Sequence, residues 1–300
     1  VFAGLLDDAA IFPPGDAPMG AAVTAHRAHL RAWYADLVGP FVCSDRRLPE
    51  LQSTLAGGTG PLRLSLSVTG GAGALEPALT WVSRDPALRL AAVEIALRDE
   101  ADLAHNAGRI TRVLSGVLPE DADAYLELPR LRGTDVPASW AAALDEVAAS
   151  GHRMKYRTGG IDADAFPSAA ELAVVIDAAL DREVEFKCTA GLHNALAHTD
   201  ATTGFEHHGF LNLLLATRAA LDGANPAELE AVLGEHDPET VCARLSEEGP
   251  ARLTSARRWF RSFGSCSIIE PVEDLVHLGL IDRPNSSVPT GQETSHDDVG

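Results

Sequence analysis

The sequence predicts an α/β fold of the (β/α)8 barrel type, with extra helices inserted before the last strand. Two observations carry this. Short apolar runs alternate with longer helical patterns along the chain, and eight such runs can be counted. Several runs also alternate apolar with charged residues, so each strand would turn an apolar side to flanking helices and a polar row into a closed interior.

The expected strands lie at 3–6, 41–44, 62–68, 92–97, 124–128, 153–158, 184–189 and 262–268. The first is weak and reads as an extended lead into the barrel. The third turns Leu62, Leu64, Leu66 and Val68 outward, with Arg63, Ser65 and Ser67 inward. The fourth puts Val93, Ile95 and Leu97 outward and Glu94 inward. In the fifth, Leu126 and Leu128 face out while Tyr125 and Glu127 face in. The sixth sends Arg153, Lys155 and Arg157 inward and Met154 and Tyr156 outward. The seventh sends Glu185, Lys187 and Thr189 inward and Val184, Phe186 and Cys188 outward. Unpaired charge in a barrel interior is costly, so Arg153 and Glu185 on neighbouring strands are expected to form a structural ion pair near the floor.

Helical patterns fall at about 18–38, 48–55, 73–82, 100–114, 137–150 and 167–181, the last two opened by Pro137 and Pro167. The glycines at 57–73 mark loops; no GxGxxG leads from a strand into a helix. Residues 192–261 form a long, mostly helical excursion before the last strand. GFLNLLL at 209–215 would suit a strand, but its continuation through ATRAALDG favours a helix. Residues 1–281 are expected to be one barrel domain, followed by a polar tail at 282–300 without the apolar content of a packed segment.

At 300 residues, 46% hydrophobic and 22% charged, the composition is that of an ordinary globular protein. A formal net charge of −19 repels nucleic-acid phosphates and anionic membranes, so neither is an expected partner. No run approaches the roughly 18 apolar residues of a membrane span, and the opening VFAGLLDDAA lacks a basic leader, so a cytoplasmic location is expected. Cys43, Cys188, Cys242 and Cys266 show no CxxC spacing and read as free thiols.

Of the 24 basic residues only two are lysines, Lys155 and Lys187. A guanidinium stays protonated, whereas an amine can shed its proton and condense with a carbonyl. The two lie one βαβ unit apart, in KYRTGG and KCTAG, both on inward rows. Adjacent parallel strands are about 4.8 Å apart, so the amines should meet, and each ammonium should lower the pKa of the other. Glu94 and Glu127 are the inward carboxylates available for proton transfer or as counter-ions. Asp7 and Asp8 sit at the expected end of the first strand, where they would recognise hydroxyls or cap a loop.

The last strand ends FGSCSII and runs into a helix, so backbone N–H groups there offer an anion cradle. His193, in GLHN, is expected at the same rim. His207, His208 and Asn212, in the excursion, are candidates for a lid over the mouth or for packing. Adjacent histidines point apart and no HxH or HExxH spacing accompanies them, so no metal site is expected.

Taken in strand order, LLDDAAIF, FVCSDRRL, AAVEIAL, RMKYRTGG, VEFKCTAGLH and RSFGSCSII resemble the deoxyribose-phosphate aldolase family, class I aldolases on a TIM barrel. The resemblance implies that Lys155 forms a Schiff base, that Lys187 lowers its pKa and that Glu94 relays protons, as glutamate where the family commonly has aspartate. It also implies that Cys43 lies near the pocket and that Gly159, Gly191, Gly264, Ser265 and Ser267 bind phosphate. Arg157 is counted with these substrate-binding positions.

Two departures stand out. Only one glycine follows the second lysine, and 76 residues separate Lys187 from Gly264. The added segment is expected to cover the mouth, so the substrate need not be phosphorylated. The function expected is a Schiff-base lyase that makes or breaks a carbon–carbon bond in a small hydroxy-carbonyl compound, phosphorylated or not, with no cofactor; self-association is left open. A dehydratase, decarboxylase or isomerase using the same lysine, or a non-catalytic sugar- or phosphate-binding protein, are the alternatives.

Overall fold

In the computed structural model, which describes residues 1–58, 60–98 and 101–284, eight parallel strands close into a barrel. In chain order the elements begin β1 (Leu6–Asp8), α1 (Met19–His29), β2 (Val38–Ser44), α2 (Leu48–Leu55), β3 (Leu62–Val68), α3 (Ala72–Ser83), β4 (Leu88–Ala96) and α4 (Leu103–Val117). They continue with β5 (Asp123–Glu127), α5 (Ala138–Ala149), β6 (Arg153–Arg157), α6 (Ala169–Asp181) and β7 (Phe186–Thr189). Next come a two-stranded hairpin, β8 (His198–Thr199) with β9 (Glu206–His207), and the helices α7 (Phe210–Leu221), α8 (Pro226–Leu233) and α9 (Pro238–Ala256). Strand β10 (Phe260–Ser265) and helix α10 (Ile269–His277) follow. Strand β1 closes the ring by pairing in parallel with both β2 and β10. The expected (β/α)8 barrel, with extra helices before its last strand, is the fold.

The alternation read from the sequence is the barrel's inside and outside. Leu64, Leu66, Val93, Leu126, Met154, Tyr156, Phe186 and Cys188 are buried in one continuous apolar core beneath the helices. At this residue spacing a strand can seal an apolar face only if the alternate side chains face inward, and that row carries the charge. Arg153 and Glu185 form the expected floor pair, Nε to Oε2 at 2.6 Å, and Arg153 also pairs with Asp123.

Several boundaries differ from expectation, among them the starts of β2 at Val38, β4 at Leu88 and β7 at Phe186. The first strand is not 3–6 but Leu6–Asp8, because Gly4 adopts φ +61° in a turn and its N–H binds Asp36 O at 2.7 Å. The helix expected over 18–38 stops at His29, giving way to turns before a 3₁₀ segment at Ala35–Leu37. Strand β10 begins earlier and ends at Ser265, so Cys266 and Ser267 lie in the turn after it. The polar tail lies outside the described residues from 285 onward.

The excursion between β7 and β10 does not cover the mouth with helices. Helix α7 takes the place of the seventh barrel helix, its Phe210 stacked on Phe263 of β10 with ring centroids 5.1 Å apart. Helices α8 and α9 pack on α6 and α7 as an outer layer, burying Leu229, Leu233, Val241 and Leu245. Only the stretch from Thr189 to His207, which carries the β8–β9 hairpin, reaches the cavity. Among the described residues no helix is long and apolar enough to cross a membrane.

Candidate active site

The C-terminal mouth of the barrel opens into a cavity of about 810 Å³ whose floor includes Glu94, Glu127, Lys155 and Lys187. The strand register fixes this meeting. Lys155 on β6 is directly opposite Lys187 on β7, and Glu127 on β5 is opposite Lys155 on its other side. Glu94, on β4, bridges the two amines: Lys155 Nζ is 2.7 Å from Oε2 and Lys187 Nζ is 2.6 Å from Oε1. Lys155 also reaches Glu127 Oε2 at 2.9 Å, and Lys187 is paired with Asp7.

Hydroxyls complete the shell. Ser65 Oγ donates to Glu94 Oε1 at 2.6 Å and Ser262 Oγ donates to Asp7 Oδ2 at 2.8 Å. The Tyr125 ring lies beneath Lys187, its centroid 5.2 Å from Nζ, where the face of the aromatic ring favours a cation. Arg157 Nε reaches Glu127 Oε1 at 3.2 Å nearer the mouth.

These contacts reverse the expected electrostatics of the lysines. Burial pushes the Lys155 amine down and Lys187 adds to that, but Glu127 and Glu94 outweigh both and hold it above the ordinary lysine range. Lys187 is likewise lowered by burial and raised further by Asp7 and Glu94. Two carboxylates within contact of each amine exceed one like charge on a neighbouring strand. The mutual lowering expected from two adjacent amines is therefore present and loses. Glu94, which burial alone would push up, is drawn well below the usual carboxylate range by the two ammoniums. Glu127 is held low against burial by Lys155 and Arg157. Asp7 goes the other way: burial exceeds the pull of Lys187, so its carboxyl is raised.

Several other expected residues line the cavity: Arg157, Gly191, His193, His207 and Gly264. Gly191 holds φ +75° and packs so closely on Gly159 that a Cβ on it would stand 2.9 Å from Gly159 Cα. Gly159 itself does not line the cavity; it supports the loop. His193 lies with Nδ1 2.9 Å from Glu270 Oε2, and Cys266 Sγ is 3.7 Å from its Nε2.

The remaining positions lie elsewhere. Asp8 turns away from the lumen and pairs with His26, Oδ2 to Nδ1 at 3.0 Å, in the buried layer under α1. Cys43 points outward into the core, where burial pushes its thiol up to about 12. Ser265 and Ser267 bond each other across the turn after β10, Ser265 Oγ donating to Ser267 O at 2.7 Å. His208 is buried with Nε2 2.7 Å from Pro167 O. Asn212 is an internal staple: its Oδ1 accepts from Ala197 N–H at 2.9 Å and its amide donates to Val232 O and Glu235 O. Neither of these two is part of a lid; His207, its ring tilted against Phe166 with centroids 4.6 Å apart, does border the mouth.

Sequence reasoning assigned no role to Ser65, Ser262, Phe12, Arg98, Phe166 or Cys266. Ser65 was on the inward row and could have been found by asking which hydroxyl faces Glu94. Ser262 lies on β10, for which no inward row was read, and the others sit in loops. Among the described residues no group of three or more His, Cys, Asp and Glu side chains is arranged to hold a metal ion. No protein-family model matches the chain, and no curated protein matches it.

Proposed function

We propose that the protein is a Schiff-base-forming lyase of class I aldolase type, in which Lys155 condenses with the carbonyl of a small substrate and a carbon–carbon bond is then made or broken. The observation that carries this reading is the pair of inward lysines joined through Glu94 at the floor of an open cavity. A salt-bridged lysine with no adjoining space would speak for a structural role; here the cavity reaches Lys155 directly. The resemblance to deoxyribose-phosphate aldolases supports the same assignment through the strand order of its motifs.

The resting amine is an ammonium, so it must first yield a proton. Glu127 Oε2, 2.9 Å away and bordering the cavity, is the acceptor. The free amine adds to the carbonyl carbon, and the carbinolamine loses its hydroxyl as water with a proton returned from the carboxyl side. The net change is one ammonium plus one carbonyl giving one iminium plus water. The iminium withdraws electrons from the neighbouring carbon, and Glu94 or a water held by it moves the proton there. Lys187 keeps Glu94 ionised for that step. Asp7, with its raised carboxyl, holds Lys187 in place.

The test is hydrogen exchange at the carbon next to the carbonyl. With small aldehydes and ketones in D₂O, followed by proton NMR, the protein should speed deuterium incorporation and Lys155→Ala should abolish the gain. Equal exchange by the Lys155→Ala variant would refute the reading. A dehydratase, decarboxylase or isomerase would share the iminium and differ in product.

A further inference from the structure

Resting on that reading, we propose that the substrate's far end is an apolar chain or aromatic ring and not a phosphate ester, with Phe166 as a specificity-determining wall. The floor of the cavity is charged, whereas much of its rim is apolar. The loop after β1 contributes Phe12, Pro13 and Pro14, and the loop after β6 contributes Ile161 and Phe166. Val42, Val68 and Ala96 extend this apolar wall along the ends of β2, β3 and β4. Phe166 is braced by the rings of His207 at 4.6 Å and Phe205 at 5.4 Å, so it presents a fixed surface. Ile161 is 77% exposed at the mouth, a position where an isoleucine gains nothing from folding and gains on contact with an apolar ligand.

The anion cradle expected after β10 is closed on itself. Ser265 Oγ donates to Ser267 O at 2.7 Å, Ser267 N–H donates back to Ser265 Oγ at 3.2 Å, and Glu270 N–H donates to Ser267 Oγ at 3.3 Å. Neither serine borders the cavity. The Glu270 carboxylate occupies His193, and Asp162 also lines the cavity. A phosphate dianion placed at that turn would have to break the bonds between Ser265 and Ser267 and would stand close to the Glu270 carboxylate. Of the rim arginines, Arg157 is bound to Glu127, and Arg98 is exposed. A pocket of this size with apolar walls and a few convergent polar groups suits a ligand with one reactive polar end.

Affinity can be measured apart from reactivity. In calorimetric titration, 3-phenylpropan-1-ol should bind at least tenfold more tightly than glycerol 3-phosphate. Phe166→Ala should weaken the alcohol about tenfold and leave the phosphate unchanged. Ile161→Asp, at an exposed site that does not endanger folding, should also weaken the alcohol several-fold. Tighter binding of glycerol 3-phosphate, or unchanged alcohol affinity in both variants, would overturn the proposal. Borohydride reduction with 3-phenylpropanal in parallel separates the two claims. Preference for the alcohol with no adduct on Lys155 would defeat the Schiff-base reading alone, and an adduct with no apolar preference would defeat this inference alone.

Discussion

Replacing Glu94 by glutamine keeps the shape of the side chain and removes the one charge that both lysines share. In the native protein Glu94 lies 2.7 Å from Lys155 Nζ and 2.6 Å from Lys187 Nζ, with all three side chains buried. The variant leaves Lys155 with Glu127 and Lys187 with Asp7. Breaking a buried pair by removing one partner costs about 3–5 kcal/mol. At roughly 2–4 °C per kcal/mol this is a loss of about 6–20 °C in Tm near pH 7.

The pH dependence identifies the cause. The folded-state pKa of Glu94 lies below its unfolded value, so on acidification the unfolded chain takes up the proton first. The stability that Glu94 supplies is therefore complete above the ordinary glutamate pKa of about 4.3 and is lost as pH falls below it. Thermal unfolding of both proteins from pH 7.5 down to pH 3.5 should show a gap that is widest at neutral pH and narrows in acid. A gap of less than about 2 °C at pH 7, or one that does not change with pH, would refute the electrostatic account of the floor.

Other outcomes follow from the same geometry. Asn212→Ala should destabilise the protein by about 2–4 kcal/mol, because Ala197 N–H and the carbonyls of Val232 and Glu235 lose their partner together. The same variant should leave adduct formation on Lys155 intact, which reduction and mass spectrometry would check. Gly191→Ala should be strained by its positive φ and by Gly159 Cα at 2.9 Å, so the loop beside Lys187 must shift; unfolding temperature and deuterium exchange should both fall. Cys43, buried with its thiol pushed up to about 12, should resist iodoacetamide at pH 8 in the folded protein, whereas Cys266, whose thiol burial also raises but which borders the cavity, should react faster than Cys43.

The barrel was legible because each strand has to separate a helix-facing side from a lumen-facing side, and a two-residue period shows that division in residues such as Val93, Glu94 and Ile95. The Arg153–Glu185 pair and the meeting of Lys155 with Lys187 followed from that phase together with parallel register. Asp7 and Asp8 could not be told apart, since adjacent residues face opposite ways and the turn at Gly4 set the phase of a strand only three residues long. The charge state of the lysines was misjudged for a different reason. It depends on how many carboxylates arrive from β1, β4 and β5 at once, and that count exists only after the barrel closes. The excursion read as a cover because its length was visible and its packing was not. Its apolar rows on α8 and α9 meet α6 and α7, and no local pattern distinguishes that from a lid.

Imine formation is assigned to one particular amine, that of Lys155. Incubating the protein with a panel of small aldehydes and ketones under borohydride, then mapping peptides by mass spectrometry, measures this directly. A reduced adduct is expected on Lys155, absent from Lys187 and lost in Lys155→Ala. An adduct on Lys187 in its place, or none at either lysine with every carbonyl tested, would contradict that assignment.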